Sequence, residues 1–142
     1  MFKSIVLALD GSEAARAGIP VATELAKVGE GRIVIAHVEE RMATKGRAPV
    51  HADEEGIQAE LEAVVEDLEG QGIETSIRMG DVMAGGSGVA HAIADIAERA
   101  NADLIVAGMR GHTPLEGLLI GSVTQRLLHI AKQPILVVPA PG

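Results

Sequence analysis

Ile5-Val6-Leu7-Ala8-Leu9-Asp10-Gly11-Ser12 is the stretch on which the fold turns. Five apolar residues run without interruption and stop at Asp-Gly. Unbroken apolarity marks a strand covered on both faces, as in a parallel sheet, where a half-wet strand would alternate. Three more runs have the same character: Ile33-Val34-Ile35-Ala36, Leu104-Ile105-Val106-Ala107 and Ile135-Leu136-Val137-Val138. A fifth, Ile73-Glu74-Thr75-Ser76-Ile77-Arg78-Met79, alternates and reads as an edge strand with one solvated face.

Helical stripes lie between these runs. Ile57, Leu61, Val64, Val65 and Leu68 share one face, Val89, Ile93, Ile96, Ala97 and Ala100 another, and Val123, Leu127, Ile130 and Ala131 a third. A further helix is expected from about Ser12 to Val28, with a kink or late start at Gly18 and Pro20. The mixed segment from Glu39 to Val50 reads as a loop. Strands alternating with helices predict right-handed crossovers and a parallel sheet with helices on both faces. Ligands on such sheets bind beyond the carboxyl ends of the strands, where the winding reverses between the first and fourth strands. Function is therefore expected at Asp10-Gly11-Ser12, after Val38 and after Ala107.

Composition narrows the function class. The 142 residues fit one domain of ordinary size, so residues 1–142 are expected to form a single unit. Phe2 is the sole aromatic residue, which argues against nucleic-acid recognition by base stacking. A net charge of −8 argues against gripping a bare phosphate backbone. No nucleic-acid partner is expected. With no cysteine there is neither disulfide nor thiolate chemistry, which suits a reducing, cytoplasmic setting. The opening apolar stretch is too short for an export signal or a membrane span, so no membrane association is expected. His37, His51, His91, His112 and His129 include no helical i, i+4 pair, so a dedicated histidine metal site is not expected.

Chemistry concentrates after the fourth strand, in Gly108-Met109-Arg110-Gly111, nine residues, then Gly121-Ser122. Glycines permit close approach of a ligand to the main chain, and a helix start at Ser122 presents unpaired N–H groups and a partial positive charge. An anionic phosphate needs those elements. Ser122-Val123-Thr124-Gln125 equally matches a capping box, in which Ser122 only caps its helix. Two other glycine clusters fail as phosphate motifs. Gly80 to Ser87 has Gly86 where a Walker loop needs lysine, and Gly86-Ser87-Gly88 lacks the third glycine of a dinucleotide fingerprint.

The pattern Gly108-x-x-Gly111, nine residues, Gly121-Ser122 resembles the nucleotide-binding signature of the universal stress protein family. The opening Ile5–Ser12, Ala36-His37-Val38, Ala102–Val106 and Pro134–Pro139 are similar to that family's first strand and turn, second strand end, fourth strand and fifth strand. The resemblance implies a three-layer, Rossmann-like α/β fold: an open sheet of five parallel strands in the order 3-2-1-4-5. It implies an adenine nucleotide, ATP, ADP or AMP, as cofactor. Ala8, Leu9 and Asp10 would lie at base and ribose, and the Val38 backbone at adenine. Gly108, Met109, Arg110, Gly111 and His112 would lie along ribose and phosphates, and Gly121, Ser122 and Val123 at the phosphate tail. Asp10 is the candidate ligand for a magnesium ion arriving with the nucleotide. From its position alone, Asp10 serves equally well as a sugar or metal contact or as the cap of the following helix. Pro114, Glu116 and Gly117 depart from the family's usual glycine and basic residues, and Glu116 facing inward would let AMP or ADP compete well with ATP.

The family's binding branch implies a nucleotide-controlled stress-response module. The alternatives are a slow ATP hydrolase and a nucleotide-free interaction protein. Phosphoryl transfer needs metal ligands, charge neutralisation and an oriented nucleophile, and only Asp10 and His112 offer help here. The last strand, Ile135 to Val138, is apolar on both faces yet would lie at a sheet edge, and such edges find partners. A homodimer pairing these strands across a twofold axis is expected. Sedimentation at micromolar concentration should show a dimer, and monomer alone would contradict the pairing.

Overall fold

Ile5, Val6 and Leu7 are completely buried in β1 (Ser4–Ala8), the middle strand of the sheet. The computed structural model describes residues 2–41, 54–83, 88–109 and 120–140. After β1 come α1 (Glu13–Arg16), α2 (Gly18–Gly29), β2 (Arg32–Arg41), α3 (Glu54–Gly70), β3 (Thr75–Met83), α4 (Gly88–Arg99), β4 (Leu104–Gly108), α5 (Ser122–Ile130) and β5 (Ile135–Val138). The strands form one parallel sheet in the order β3-β2-β1-β4-β5. Order, direction and the edge position of β3 are as the apolar runs and the family resemblance imply.

Side-chain alternation along each strand sorts the core into two halves. Ile5, Leu7, Leu9, Ile33, Ile35, Leu104 and Val106 meet Ala15, Ala22, Ala26, Leu61, Val64 and Leu68 of α1, α2 and α3. Val6, Val34, Ala36 and Ile105 meet Ala90, Ile93 and Ala97 of α4 and Leu127 of α5. Helices therefore cover both faces. Ala, Val, Ile and Leu fill the core without large aromatic rings, which brings helix and sheet backbones close together.

Gly108 shows how close. A Cβ there would sit 2.8 Å from the Ala14 carbonyl oxygen and 3.0 Å from the Ala15 Cα, both main-chain atoms of α1. Gly18 likewise lies where a Cβ would come 3.1 Å from Val106 and 3.2 Å from Leu7. The expected irregularity of the first helix occurs at Ala17. α1 ends there and α2 begins at Gly18, which puts Pro20 in the first turn, where a missing N–H leaves no hydrogen bond unmade.

Two expectations need correction. Glu39, Glu40 and Arg41, expected in a loop, belong to β2 and pair in register with Asp81, Val82 and Met83, while residues 42–50 of that expected loop lie outside the described residues. Main-chain pairing with a neighbouring strand requires no apolar side chain, and charged residues continue a strand once it passes the covered core. β3 starts at Thr75 and not at Ile73. Ile73 is buried and donates its N–H to the Leu68 carbonyl at the end of α3. β5 is the outer edge strand, as expected, with Leu136 37% exposed.

Replacing Gly108 by Ala should lower unfolding free energy by about 1–3 kcal/mol, as overpacking against main chain does. Gly80→Ala is the control, since its Cβ meets only side chains at 3.6 Å or more. Denaturant midpoints would compare the two, and equal losses would contradict the packing role.

Candidate functional site at the carboxyl edge of the sheet

At its amino edge the sheet is tied together. Asp103 accepts from the Lys3 N–H at 2.8 Å and the Ser4 N–H at 3.2 Å, joining the start of β4 to β1. The Arg32 guanidinium donates to the Ala100 carbonyl at 2.7 Å and to Ser4 Oγ at 3.3 Å. Ser4 Oγ itself donates to that Ala100 carbonyl. Lys3 Nζ donates to the Gly29 carbonyl at the end of α2, a favourable place for a cation. A cleft of about 580 Å³ opens at this edge, lined in part by Lys3, Lys27, Arg32, Gln71 and Glu74. Two of its three cations are already engaged in these structural bonds.

The carboxyl edge is different. Paired residues of β1 and β4 end at Leu7↔Val106. Beyond that point each strand keeps its outer neighbour. β1 continues with β2 through Ala8↔Ala36 and the Leu9 N–H on the Ala36 carbonyl at 3.0 Å. β4 continues with β5 through Gly108↔Val138 and the Met109 N–H on the Val138 carbonyl at 2.9 Å. The two halves of the sheet part at the reversal of winding, where the binding crevice of such folds lies.

The residues singled out from the sequence gather around this parting. Ala8, Leu9 and Asp10 close β1; Leu9 is buried among α1–α3 residues and Asp10 is half-buried. Asp10 Oδ1 accepts from the Ser12 N–H at 2.9 Å and the Ser12 hydroxyl at 2.5 Å, and Ser12 Oγ accepts from the Ala15 N–H. Ser12 is therefore the cap of α1, and Asp10 orients that cap. A carboxylate with one oxygen so committed would hold magnesium only as one ligand among phosphate oxygens and water.

Gly108 and Met109 close β4, and Gly121 follows. The Gly121 N–H donates to the Met109 carbonyl at 2.7 Å, and the buried Thr124 hydroxyl donates to the Gly108 carbonyl at 3.0 Å. These two bonds fix the start of α5 against the end of β4. The N-cap of α5 is Gly121, with no side-chain cap, and Ser122 is exposed in the first turn. The capping-box reading of Ser122 is therefore corrected. A residue inside the helix cannot take the extended conformation of the cap, and Gly121 takes it with φ −67° and ψ 159°. The first-turn N–H groups of α5 have no carbonyl four residues back within the helix. Val123 packs beside Leu127 on the sheet. Arg110, Gly111 and His112, with Pro114, Glu116 and Gly117, lie outside the described residues.

Val38 occupies the opposite wall. On β2, the Arg32 N–H donates to the Lys3 carbonyl and the Ile33 N–H to the Glu74 carbonyl. Even-numbered residues therefore turn their polar main chain toward β1 and odd-numbered residues toward β3. Val38 turns its N–H and C=O toward the side where β1 has already ended. Thr124 is a residue whose part in this edge the sequence reading does not include. Thr124 sits three residues before Leu127 on an otherwise apolar stripe, which was the available signal.

Among the described residues, no group of three or more His, Asp or Glu side chains could hold a metal ion, and no helix is long and apolar enough to cross a membrane.

The universal stress protein family model matches residues 1–139. Universal stress protein Sll1654 of Synechocystis is 32% identical over 141 residues, covering 98% of this chain and 87% of that one. The crystal structure of a universal stress family protein from Burkholderia pseudomallei is 30% identical, with a TM-score of 0.70 over 97% of this chain and 96% of the other. Two more distant structures share the fold. A universal stress protein in complex with cAMP has 23% identity and a TM-score of 0.65, covering 99% of this chain and 98% of that one. The Archaeoglobus fulgidus protein in complex with dAMP has 20% identity and a TM-score of 0.65, covering 97% and 98%. In sequence across nearly its whole length and in strand order, this chain belongs to the universal stress protein family.

Proposed function

We propose that this protein is a cytoplasmic adenine-nucleotide-binding module, one domain over residues 1–142, that works by changing its interactions when nucleotide occupies the parted carboxyl edge of the sheet. The observation that carries the reading is the pairing of two features across that parting. On one wall a donor and an acceptor from a single residue, the Val38 N–H and C=O, face the crevice. On the other, the uncapped start of α5 is held against β4 by Gly121 and Thr124. Adenine presents an acceptor, N1, beside a donor, the N6 amine, and suits the first wall. A phosphate suits the second. Two fold neighbours were solved with adenine nucleotides, cAMP and dAMP, which supports the same ligand class.

In this reading Ala8, Leu9 and Asp10 form the floor beneath base and ribose. Gly108, Met109, Arg110, Gly111 and His112 follow the ribose and phosphates, and Gly121, Ser122 and Val123 hold the phosphate tail. ATP, ADP and AMP are the candidate ligands, and magnesium would arrive with a di- or triphosphate, with Asp10 as its protein ligand. The chain acts as a homodimer through Ile135–Val138. Support comes from the outer strand itself, where Leu136 at the sheet edge is 37% exposed.

A thermal-shift series tests the reading. At an ATP or AMP concentration a hundredfold above Kd, the midpoint should rise on the order of 5–10 °C. Gly121→Val, which places a branched side chain at the N-cap, should abolish the shift while leaving the folded circular-dichroism spectrum intact. No shift with any adenine nucleotide would overturn the proposal and favour a nucleotide-free interaction protein.

A further inference from the structure

Parallel pairing between β1 and β2 follows a regular sequence. The Arg32 N–H takes the Lys3 carbonyl, and the register Ser4↔Arg32 through Ala8↔Ala36 carries the pattern forward two residues at a time. Its next rung would join the Val38 N–H to the Leu9 carbonyl. That rung is not made. The Leu9 carbonyl is instead met by the side chain of His37, whose Nδ1 lies 2.8 Å away. His37 is 2% exposed, and its strand neighbours Ile35 and Leu9 belong to the buried core on the α1–α3 side. A carbonyl oxygen only accepts, so Nδ1 carries the proton and the imidazole is the donor.

We infer that His37 is a positioning residue for the base subsite: its imidazole replaces the last rung of the β1–β2 ladder and so keeps the Val38 N–H and C=O open to a purine edge. The consequence is chemical as well as geometric. A parallel ladder that closed at Val38 would consume the donor that adenine N1 needs. With the rung replaced, the Leu9 carbonyl is still satisfied, as a buried acceptor must be, and the strands stay joined. One buried side chain thus ends the ladder without leaving an unmet polar group. The selectivity follows from the same atoms. Val38 offers donor and acceptor in the order that complements adenine, whereas hypoxanthine presents an N–H at N1 and an oxygen at position 6, the reverse order. The protein should therefore prefer AMP to IMP, and His37 should be what maintains the preference.

This inference rests on the proposed nucleotide site, and its test has one arm that needs no nucleotide. Amide hydrogen exchange read by NMR should show Val38 exchanging faster than Ala36 in the wild-type protein. In His37→Leu the ladder should close, raising Val38 protection about tenfold or more, while the AMP-over-IMP preference falls by about tenfold. His37→Asn, whose amide can donate to the same carbonyl, should restore both readouts to near wild-type values. Equal Val38 protection in the wild type and His37→Leu would overturn the inference, as would an AMP-over-IMP preference that survives the leucine. Should His37→Leu not fold, wild-type imidazole 15N spectra decide the matter: a proton on Nδ1 with slow exchange supports the role, and an unprotonated Nδ1 overturns it. Wild-type protein that binds neither nucleotide refutes the functional proposal alone, because the exchange arm still decides the role of His37.

Discussion

The structure depends on one interruption in main-chain hydrogen bonding. Between β1 and β4 the ladder stops after Leu7 and Val106, although both strands continue with their outer neighbours. A polar main chain buried without partners is costly, so such an opening persists only where other groups or a ligand meet the freed donors and acceptors. At the amino edge the same two strands are joined by Asp103, Ser4 and Arg32. The asymmetry between a tied edge and an open edge is what the proposed site at the carboxyl side rests on.

Small residues make the opening usable. Gly108 lets α1 lie against the end of β4, and Ser12, oriented by Asp10, starts that helix immediately after β1. Gly121 and Thr124 seat α5 on the other side. Each of these residues therefore has a folding role that would exist without any ligand. That double duty explains why a glycine pattern alone says little about phosphate. Gly108 answers to the backbone of α1 whether or not a ribose lies beside it.

Strand positions were legible because burial on both faces leaves unbroken apolar runs, and β1, β4 and the core of β2 follow them closely. The end of β2 was not legible. Glu39, Glu40 and Arg41 extend the strand through main-chain pairing alone, which leaves no mark in side-chain character. The break of the first helix was foreshadowed by Gly18 and Pro20. The capping alternative for Ser122 is excluded because that pattern starts one residue too late; the extended residue is Gly121. The gathering of Asp10, Val38, Gly108 and Gly121 at one edge followed from strand order. The replacement of a ladder rung by His37 did not, since it depends on where a side chain turns after the strand is formed.

The most direct measurement is an AMP titration followed residue by residue in 1H–15N NMR spectra. If the parted carboxyl edge is the nucleotide site, the largest shifts will fall on Asp10, Val38, Met109 and Ser122, with saturation at a common dissociation constant. Shifts confined to the amino-edge cleft around Lys27 and Gln71, or no saturable shifts at all, would contradict the account.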